Sequence, residues 1–317
     1  MAPLRIVFCG TPAFAIPALR ELIQQKDFRI EGVVTQPDRR RGRGGEISIS
    51  PVKQDAIAEE IPVYQPQKIR SDEAYEYFVD VAPDVVVIIA YGQIIPARLI
   101  EIPRFGWINL HGSLLPKYRG AAPIHWAIAN GEKHTGLTTM SIDAGLDTGP
   151  MLLKYETDIG RDETAPELYE RLAGAGAPLV VETLRGLEAG SIARVPQDNS
   201  LATFAPPLKK ADGRIDWSRA AEKIYNRIRG FQPWPGAFTI FRGKQCAIWG
   251  RPAPENLHSA PGASPGTIQV VGSDVYVACG EDTALRLEFV QLEGRKRIRA
   301  REFVSGARLA SGESFGS

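Results

Sequence analysis

The chain has 317 residues, 44% of them hydrophobic and 24% charged, with a formal net charge of +1, as a folded protein of about two domains would have. Its three cysteines, Cys9, Cys246 and Cys279, are scattered and odd in number, so the spacing gives neither a disulfide framework nor a zinc ligand set. The opening Met-Ala-Pro-Leu-Arg-Ile-Val-Phe lacks the parts of a signal peptide, and the longest apolar run, 85–91, is far short of the roughly 20 residues a membrane helix needs; the expected setting is the cytoplasm.

In chain order, apolar runs at 4–9, 32–35, 85–90 and 107–111 read as strands, several of them apolar on both faces. Between them lie helical stretches at 12–25, 51–60 and 71–81, with Ser50 placed to cap the second. Strands without a polar face, separated by helices, predict a parallel sheet covered on both sides, so residues 1–188 are expected to be a doubly wound α/β domain. Further strands at 135–143 and 151–157 and a long helix at 165–187 complete it. Residues 189–207 lose apolar periodicity and carry three prolines, the mark of a connector. After a helix at 220–229, five short runs at 237–241, 246–249, 266–271, 275–279 and 285–291 predict a small OB-like barrel over 208–317, closed by a basic helix at 300–309. From Leu208 onward there are 17 Lys and Arg against 11 Asp and Glu, a net +6 that leaves −5 on residues 1–207. A basic second domain on an acidic body points to a polyanionic partner.

Residues 109–120 read Asn-Leu-His-Gly-Ser-Leu-Leu-Pro-Lys-Tyr-Arg-Gly, and 145–149 read Gly-Leu-Asp-Thr-Gly. Ligands of open α/β sheets sit beyond the carboxyl ends of the strands, which is where Asn109 and His111 fall. Being two apart on a strand, they point to one side. The His can take or give a proton near neutral pH, the Asn amide can donate to a developing oxyanion, and Asp147 can orient the His and hold its charge. With no serine or cysteine nucleophile in register, the set suits direct transfer of an acyl carbon. Gly10-Thr-Pro-Ala supplies one glycine where a dinucleotide fingerprint needs three, which excludes NAD binding; Gly10 lets the chain turn sharply, and Phe14 is expected to line an aminoacyl pocket.

Residues 35–45 are too long and too rich in Gly and Arg for an ordinary βα connection. Arg39, Arg40, Arg41 and Arg43 form either a solvated loop or an arm that closes on phosphate or unpaired nucleotides. A second cluster, Arg295-Lys296-Arg297-Ile-Arg299-Ala-Arg301, is either a solvated helix end or a track for an RNA backbone. His125, His134 and His258 lack metal-ligand spacing and are expected to be structural or surface residues, and 231–236 reads as a rigid aromatic turn.

The Asn-x-His-Gly-Ser-Leu-Leu-Pro-x-x-Arg-Gly run with its later Gly-Leu-Asp-Thr-Gly, joined by Ala-Ala-Pro-Ile at 121–124, resembles the signature of the folate-dependent formyltransferases, and the likeness runs nearly the full chain. The arginine-rich insertion, the Pro-Trp-Pro turn and the C-terminal barrel are similar to the branch of the family acting on initiator tRNA. The resemblance implies a formyl donor, 10-formyltetrahydrofolate, and an acceptor, the α-amino group of methionine on initiator tRNA, with no metal. It implies catalytic roles for Asn109, His111 and Asp147. Pterin contacts are expected from Ser113, Leu114, Leu115 and Pro116 and from Tyr91, Gly92 and Ile94, and tRNA contacts from Arg39, Arg41, Arg43, Arg295, Lys296 and Arg297. The plan implied is a catalytic domain at 1–188, a linker at 189–207 and a tRNA-binding domain at 208–317, compatible with a monomer. One departure lies in the insertion, where Arg40-Arg41 stand in place of the family's Pro-Ala while Arg43 keeps its place. Glycinamide ribonucleotide transfer and formyl-folate hydrolysis share the Asn-His-Asp set and are the alternatives; neither gives the basic barrel or the arginine arm a purpose. A larger second catalytic half would mark a sugar-nucleotide enzyme, and a non-catalytic RNA-binding module that senses folate would not need the intact triad.

Overall fold

The computed structural model describes residues 2–41, 46–254, 262–309 and 312–316. The chain divides into two compact units: 1–123, 134–158 and 168–206 form the first, and 124–133, 159–167 and 207–317 form the second.

In chain order the first half runs β1 (Leu4–Gly10), α1 (Ile16–Gln24), β2 (Phe28–Val34), the short β3 (Arg39–Arg41) and β4 (Glu46–Ser48), α2 (Pro51–Ala58), β5 (Val63–Tyr64), α3 (Asp72–Val81), β6 (Val85–Ile89), α4 (Ala97–Ile100) and β7 (Trp107–His111). Then come α5 (Pro123–Ala129), β8 (His134–Ser141), β9 (Met151–Asp158) and α6 (Ala165–Glu188). The central sheet has the order β5-β2-β1-β6-β7-β8-β9; its pairings are parallel as far as β7, and β8 is antiparallel to both β7 and β9. The expected doubly wound, mainly parallel fold is what forms. All five residues of β6 are buried, because a strand covered on both faces has no wet side to mark with polar residues. On one face Ala74 and Phe78 of α3 and Leu99 of α4 join Val7, Val86 and Trp107 in a single cluster. On the other, α6 comes so close that a Cβ at Gly176 would stand 2.5 Å from the Leu110 side chain.

Helix starts follow the local chemistry. Ser50 accepts a hydrogen bond from Lys53 N at 3.1 Å, as its position predicts, and Ser71 does the same for Ala74 N at 3.2 Å. The predicted 12–25 helix opens instead as a 3₁₀ turn at Ala13–Ala15 before α1. Strand β2 starts at Phe28 rather than at residue 32, since its first part carries charge in place of an apolar run: Arg5 on β1 and Arg29 both reach Glu31, at 2.8 and 3.4 Å.

The second unit holds α7 (Ala221–Gly230), β10 (Phe238–Phe241), β11 (Lys244–Pro252), β12 (Ile268–Val271), β13 (Asp274–Ala278), β14 (Ala284–Leu292), β15 (Ile298–Arg299) and α8 (Ala300–Ala307). Its antiparallel sheet has the order β10-β11-β14-β13-β12, with β15 on β14. The C-terminal segment bonds to both ends of that order: Gly316 N donates to Ile240 O, and Ile268 N to Glu313 O, each at 2.8 Å. One segment thus bridges the two edge strands, consistent with the expected OB-like domain. Inside, Phe303 of α8 meets Phe241 edge-on at 5.0 Å and stacks over Phe315 at 6.3 Å. This unit also takes in the unpredicted α5, where Trp126 sits edge-on to Phe231 at 5.2 Å. Tyr225 and Arg229 of α7 reach the 159–167 excursion, bonding Asp162 Oδ1 at 2.6 Å and the carbonyl of Glu163 at 2.8 Å.

Candidate active site

Strands β1, β6 and β7 lie side by side, with Gly10 opposite Ile89 and Ile88 opposite Asn109, so three loops leave the same carboxyl edge of the sheet. These are the turn after Gly10, residues 90–94, and residues 112–122. Asn109 and His111 close β7 on one side of the strand, half-buried and 6% exposed respectively. The Asn109 side chain makes no hydrogen bond among the described residues, although the residue is half-buried and pairs with Ile88 on β6 and Met140 on β8. An unengaged amide there is free to meet a ligand.

His111 is held from the far side of its ring. Its Nε2 lies 2.9 Å from the Tyr118 carbonyl, which accepts only, so Nε2 carries a proton. Nδ1 stands 3.7 Å from Asp147 Oδ2, farther than a hydrogen bond. The sequence reading gave the orienting role to Asp147, whereas in the structure the Tyr118 carbonyl sets the ring and Asp147 faces the other nitrogen. Asp147 is fixed by Gly120 N, which donates to its Oδ2 at 2.8 Å. Both Tyr118 (φ 60°) and Asp147 (φ 52°) adopt the left-handed conformation that side chains disfavour, a strain held where two loops meet. Gly120 has no alternative at its place: φ is 117°, and a Cβ would stand 2.7 Å from the Ala205 carbonyl.

The 112–122 loop is braced by residues the sequence reading passed over. Thr138 on β8 donates to the Ser113 carbonyl at 2.7 Å and accepts from Leu115 N at 3.1 Å, while Lys154 Nζ reaches the Leu115 carbonyl at 2.7 Å. The expected pterin residues divide by accessibility. Ser113 is 1% exposed and spends its hydroxyl on the Lys117 carbonyl at 2.6 Å, and the Leu115 side chain is wholly buried, so both could serve a ligand through their backbone alone. Leu114 and Pro116 are half-buried. Tyr91 has its ring in the core, Gly92 is exposed, and Ile94 is 86% exposed. Phe14 is 5% exposed and packs on Tyr169 with ring centroids 4.9 Å apart, so its ring is core.

The expected connector is engaged in the first unit. Val195 and Met151 exchange backbone hydrogen bonds at 2.8 and 2.9 Å; Arg119 N donates to Thr203 O at 2.9 Å, and Ala205 N to Arg119 O at 2.7 Å. Arg119, 4% exposed, bonds Gln197 Oε1 through Nε and Nη2 at 3.0 and 2.7 Å and Asn199 Oδ1 at 2.9 Å. No local pattern could have found these contacts, whose partners lie about 80 residues apart.

Arg39 and Arg41 belong to the β3–β4 pair, whose base is tied down by Lys53 Nζ and Gln65 Nε2 on the Asp38 carboxylate at 2.6 and 2.9 Å; the Lys53 hydrogen bond, helped by Gln65, holds that carboxyl below its ordinary range. Arg43 and His258 lie outside the described residues. In the second unit Arg295, Lys296 and Arg297 form an exposed irregular stretch before β15 rather than a helix end, with the Arg297 guanidinium over Phe289 at 4.9 Å and Trp249 at 5.3 Å. His134 pairs with Asp158 at 2.7 Å on the surface, and burial lowers the pKa of His125. Burial raises all three thiols, Cys9 well above its ordinary value, Cys246 to about 11 and Cys279 to about 12, which leaves no thiolate to act as nucleophile. Among the described residues no group of three or more His, Cys, Asp and Glu converges as a metal site would, and no helix is long and apolar enough to cross a membrane.

An amide, an imidazole and a carboxylate at the strand ends of this sheet, with a basic β-barrel unit on the same chain, define a group-transferring α/β enzyme rather than a nucleotide-dependent oxidoreductase. The family model described as "Formyl transferase" matches residues 4–184, and "Formyl transferase, C-terminal domain" matches 207–308. A methionyl-tRNA formyltransferase of Solibacter usitatus is 53% identical over 99% of each chain, and that of Geobacter metallireducens is 49% identical over the whole of both. The chain belongs to the formyl transferase family, in its methionyl-tRNA formyltransferase branch. The fold recurs in solved structures of low identity: WlaRD, a sugar 3N-formyl transferase, matches at 17% identity and a TM-score of 0.66 over 93% of this chain and 100% of its own. HypX of Aquifex aeolicus matches at 15% identity and 0.60 over 99% of this chain and 49% of its own, in a complex with tetrahydrofolic acid.

Proposed function

We propose that the chain transfers the formyl group of 10-formyltetrahydrofolate to the α-amino group of methionine on initiator tRNA, as a cytoplasmic monomer serving translation initiation. The observation that carries the chemistry is the unengaged Asn109 amide on the same strand face as His111, itself held by Tyr118 and faced by Asp147. The acceptor is supported by relatives named for methionyl-tRNA, similar over nearly the whole chain. The alternatives, glycinamide ribonucleotide transfer and formyl-folate hydrolysis, gain no support from those relatives.

In this reading the uncharged amine attacks the formyl carbon. A C–N bond forms, and the carbonyl π pair moves onto oxygen. Asn109 donates its N–H to that oxygen, and His111 adds a second favourable dipole or charge; one such donor is worth on the order of 3 kcal/mol in the transition state. The carboxylate of Asp147 accepts the amine proton, directly or through water, and balances charge on the imidazole. Collapse breaks the bond to N10, which leaves with its electron pair and takes up the proton released by the amine. The exposed 90–94 loop and the backbone of 113–116 would hold the pterin, with Gly92, Ile94, Leu114 and Pro116 the accessible members. Residues 1–188 would carry the chemistry, 189–207 the connection and 208–317 the RNA, with Arg39, Arg41, Arg43, Arg295, Lys296 and Arg297 on phosphate.

The test is formyl transfer from 10-formyltetrahydrofolate to methionyl initiator tRNA, with glycinamide ribonucleotide as a parallel acceptor. Formylmethionine recovered from the tRNA is the expected result. Transfer to the ribonucleotide alone would overturn the acceptor assignment, and free formate without transfer would indicate a hydrolase.

A further inference from the structure

We propose that Gln197, in the segment after the α/β sheet, is a positioning residue for the reaction, holding Asp147 through a closed ring of hydrogen bonds. The inference rests on the reading of Asp147 as the group that handles the amine proton. The Gln197 side chain is satisfied at both ends. Its Nε2 donates to the carbonyls of Asp147 and Gly149, each at 2.8 Å, and its Oε1 accepts twice from Arg119, at 3.0 and 2.7 Å. That pattern fixes the amide orientation, because a flipped amide would put its NH2 against the guanidinium and its oxygen against two carbonyls. Arg119 is followed in the chain by Gly120, whose N–H holds the Asp147 carboxylate at 2.8 Å. The ring therefore runs from the Asp147 carbonyl to Gln197, on to Arg119, along the backbone to Gly120, and back to the Asp147 carboxylate.

Two features make this more than a surface contact. Asp147 is held at φ 52°, a conformation that side chains disfavour and that persists only where its surroundings over-determine it. The same ring includes residue 119, next to Tyr118, whose carbonyl sets the imidazole of His111. Gln197 thus ties the loop that carries Asp147 to the loop whose Tyr118 carbonyl holds His111, close to the backbone exchange between Val195 and Met151. Displacing a proton-transfer group by about 1 Å costs on the order of 100-fold in rate.

The test is a double-mutant cycle in the full-length enzyme. Gln197→Met removes all four bonds at similar volume. Gln197→Glu keeps an acceptor for Arg119 but loses both donors to the 147–149 carbonyls. Both are expected to lower kcat by about 10- to 100-fold while each KM stays within about 3-fold. In an Asp147→Asn background, Gln197→Met should lower kcat by less than 2-fold further, since the group it positions is already gone. A full additional loss in that background would mean a general structural role and overturn the inference. So would wild-type kcat in either Gln197 variant while Asp147→Asn is strongly impaired but still measurable. Near-normal turnover of Asp147→Asn alone would instead remove the underlying reading of Asp147 as the group that handles the amine proton.

Discussion

Replacing Asn109 with alanine isolates one interaction. The side chain has no hydrogen-bond partner among the described residues, so its loss breaks nothing within the folded protein. The residue keeps its backbone pairing to β6 and β8, because alanine leaves the ladder intact. Stability should therefore move by no more than about 0.5 kcal/mol, and the melting temperature by less than about 2 °C. The chemical step loses one donor to the developing oxyanion, worth roughly 2.7–4 kcal/mol, which is a fall of about 100- to 1000-fold in kcat. Because the donor acts where charge develops and not on the resting formyl group, KM for the folate should change little. Single-turnover formyl transfer with folate and aminoacyl-tRNA saturating, beside a thermal melt, measures both quantities. A loss under about 5-fold would refute the oxyanion role. A melting temperature lowered by many degrees would refute the claim that the amide is idle in the folded protein.

Arg43→Ala should raise KM for aminoacyl-tRNA and flatten its dependence on salt by about one phosphate contact, with KM for the folate unmoved; equal changes in both would count against an RNA role for the arm. Phe303→Ala empties the centre of the second unit's core, where the ring is 1% exposed, and should destabilise that unit by about 3–5 kcal/mol in denaturant unfolding; a change under 1 kcal/mol would contradict the packing described. His125 has its folded pKa lowered by burial, so the unfolded chain binds its proton first as pH falls. Its contribution to stability is present above the unfolded value near 6.5 and declines below it, and His125→Gln should flatten the melting temperature between about pH 7 and 5. An unchanged pH profile would place the proton-linked term elsewhere.

Much of the fold was legible because its signals are local. The short unbroken apolar run of β6 suits a strand covered on both sides, and Ser50 followed by Pro51 suits a helix start. The alternating runs of the second unit fall within three residues of the ends of β10 to β14, because side chains of a sheet with one buried face must alternate. What escaped were elements whose signal is electrostatic or contributed by distant chain. The start of β2 is held by arginines on Glu31, and α5 finds its apolar partner about 100 residues later, at Phe231.

The candidate site divides in the same way. Asn109, His111 and Asp147 could be singled out because they stand in two short glycine-bearing runs, 109–112 at the end of an apolar strand and 145–149. The glycines carry a steric message, since at Gly120 and Gly149 a Cβ would stand 2.7 and 1.8 Å from a carbonyl oxygen. The tertiary structure alone decided that the Tyr118 carbonyl, and not Asp147, sets the imidazole, and that Thr138, Lys154, Arg119 and Gln197 brace the loops. Sequence fixes which groups are available through composition and short-range periodicity. Which donor meets which acceptor depends on how strands far apart in the chain are brought into register, and a polar side chain carries no mark of that partner until the sheet has formed.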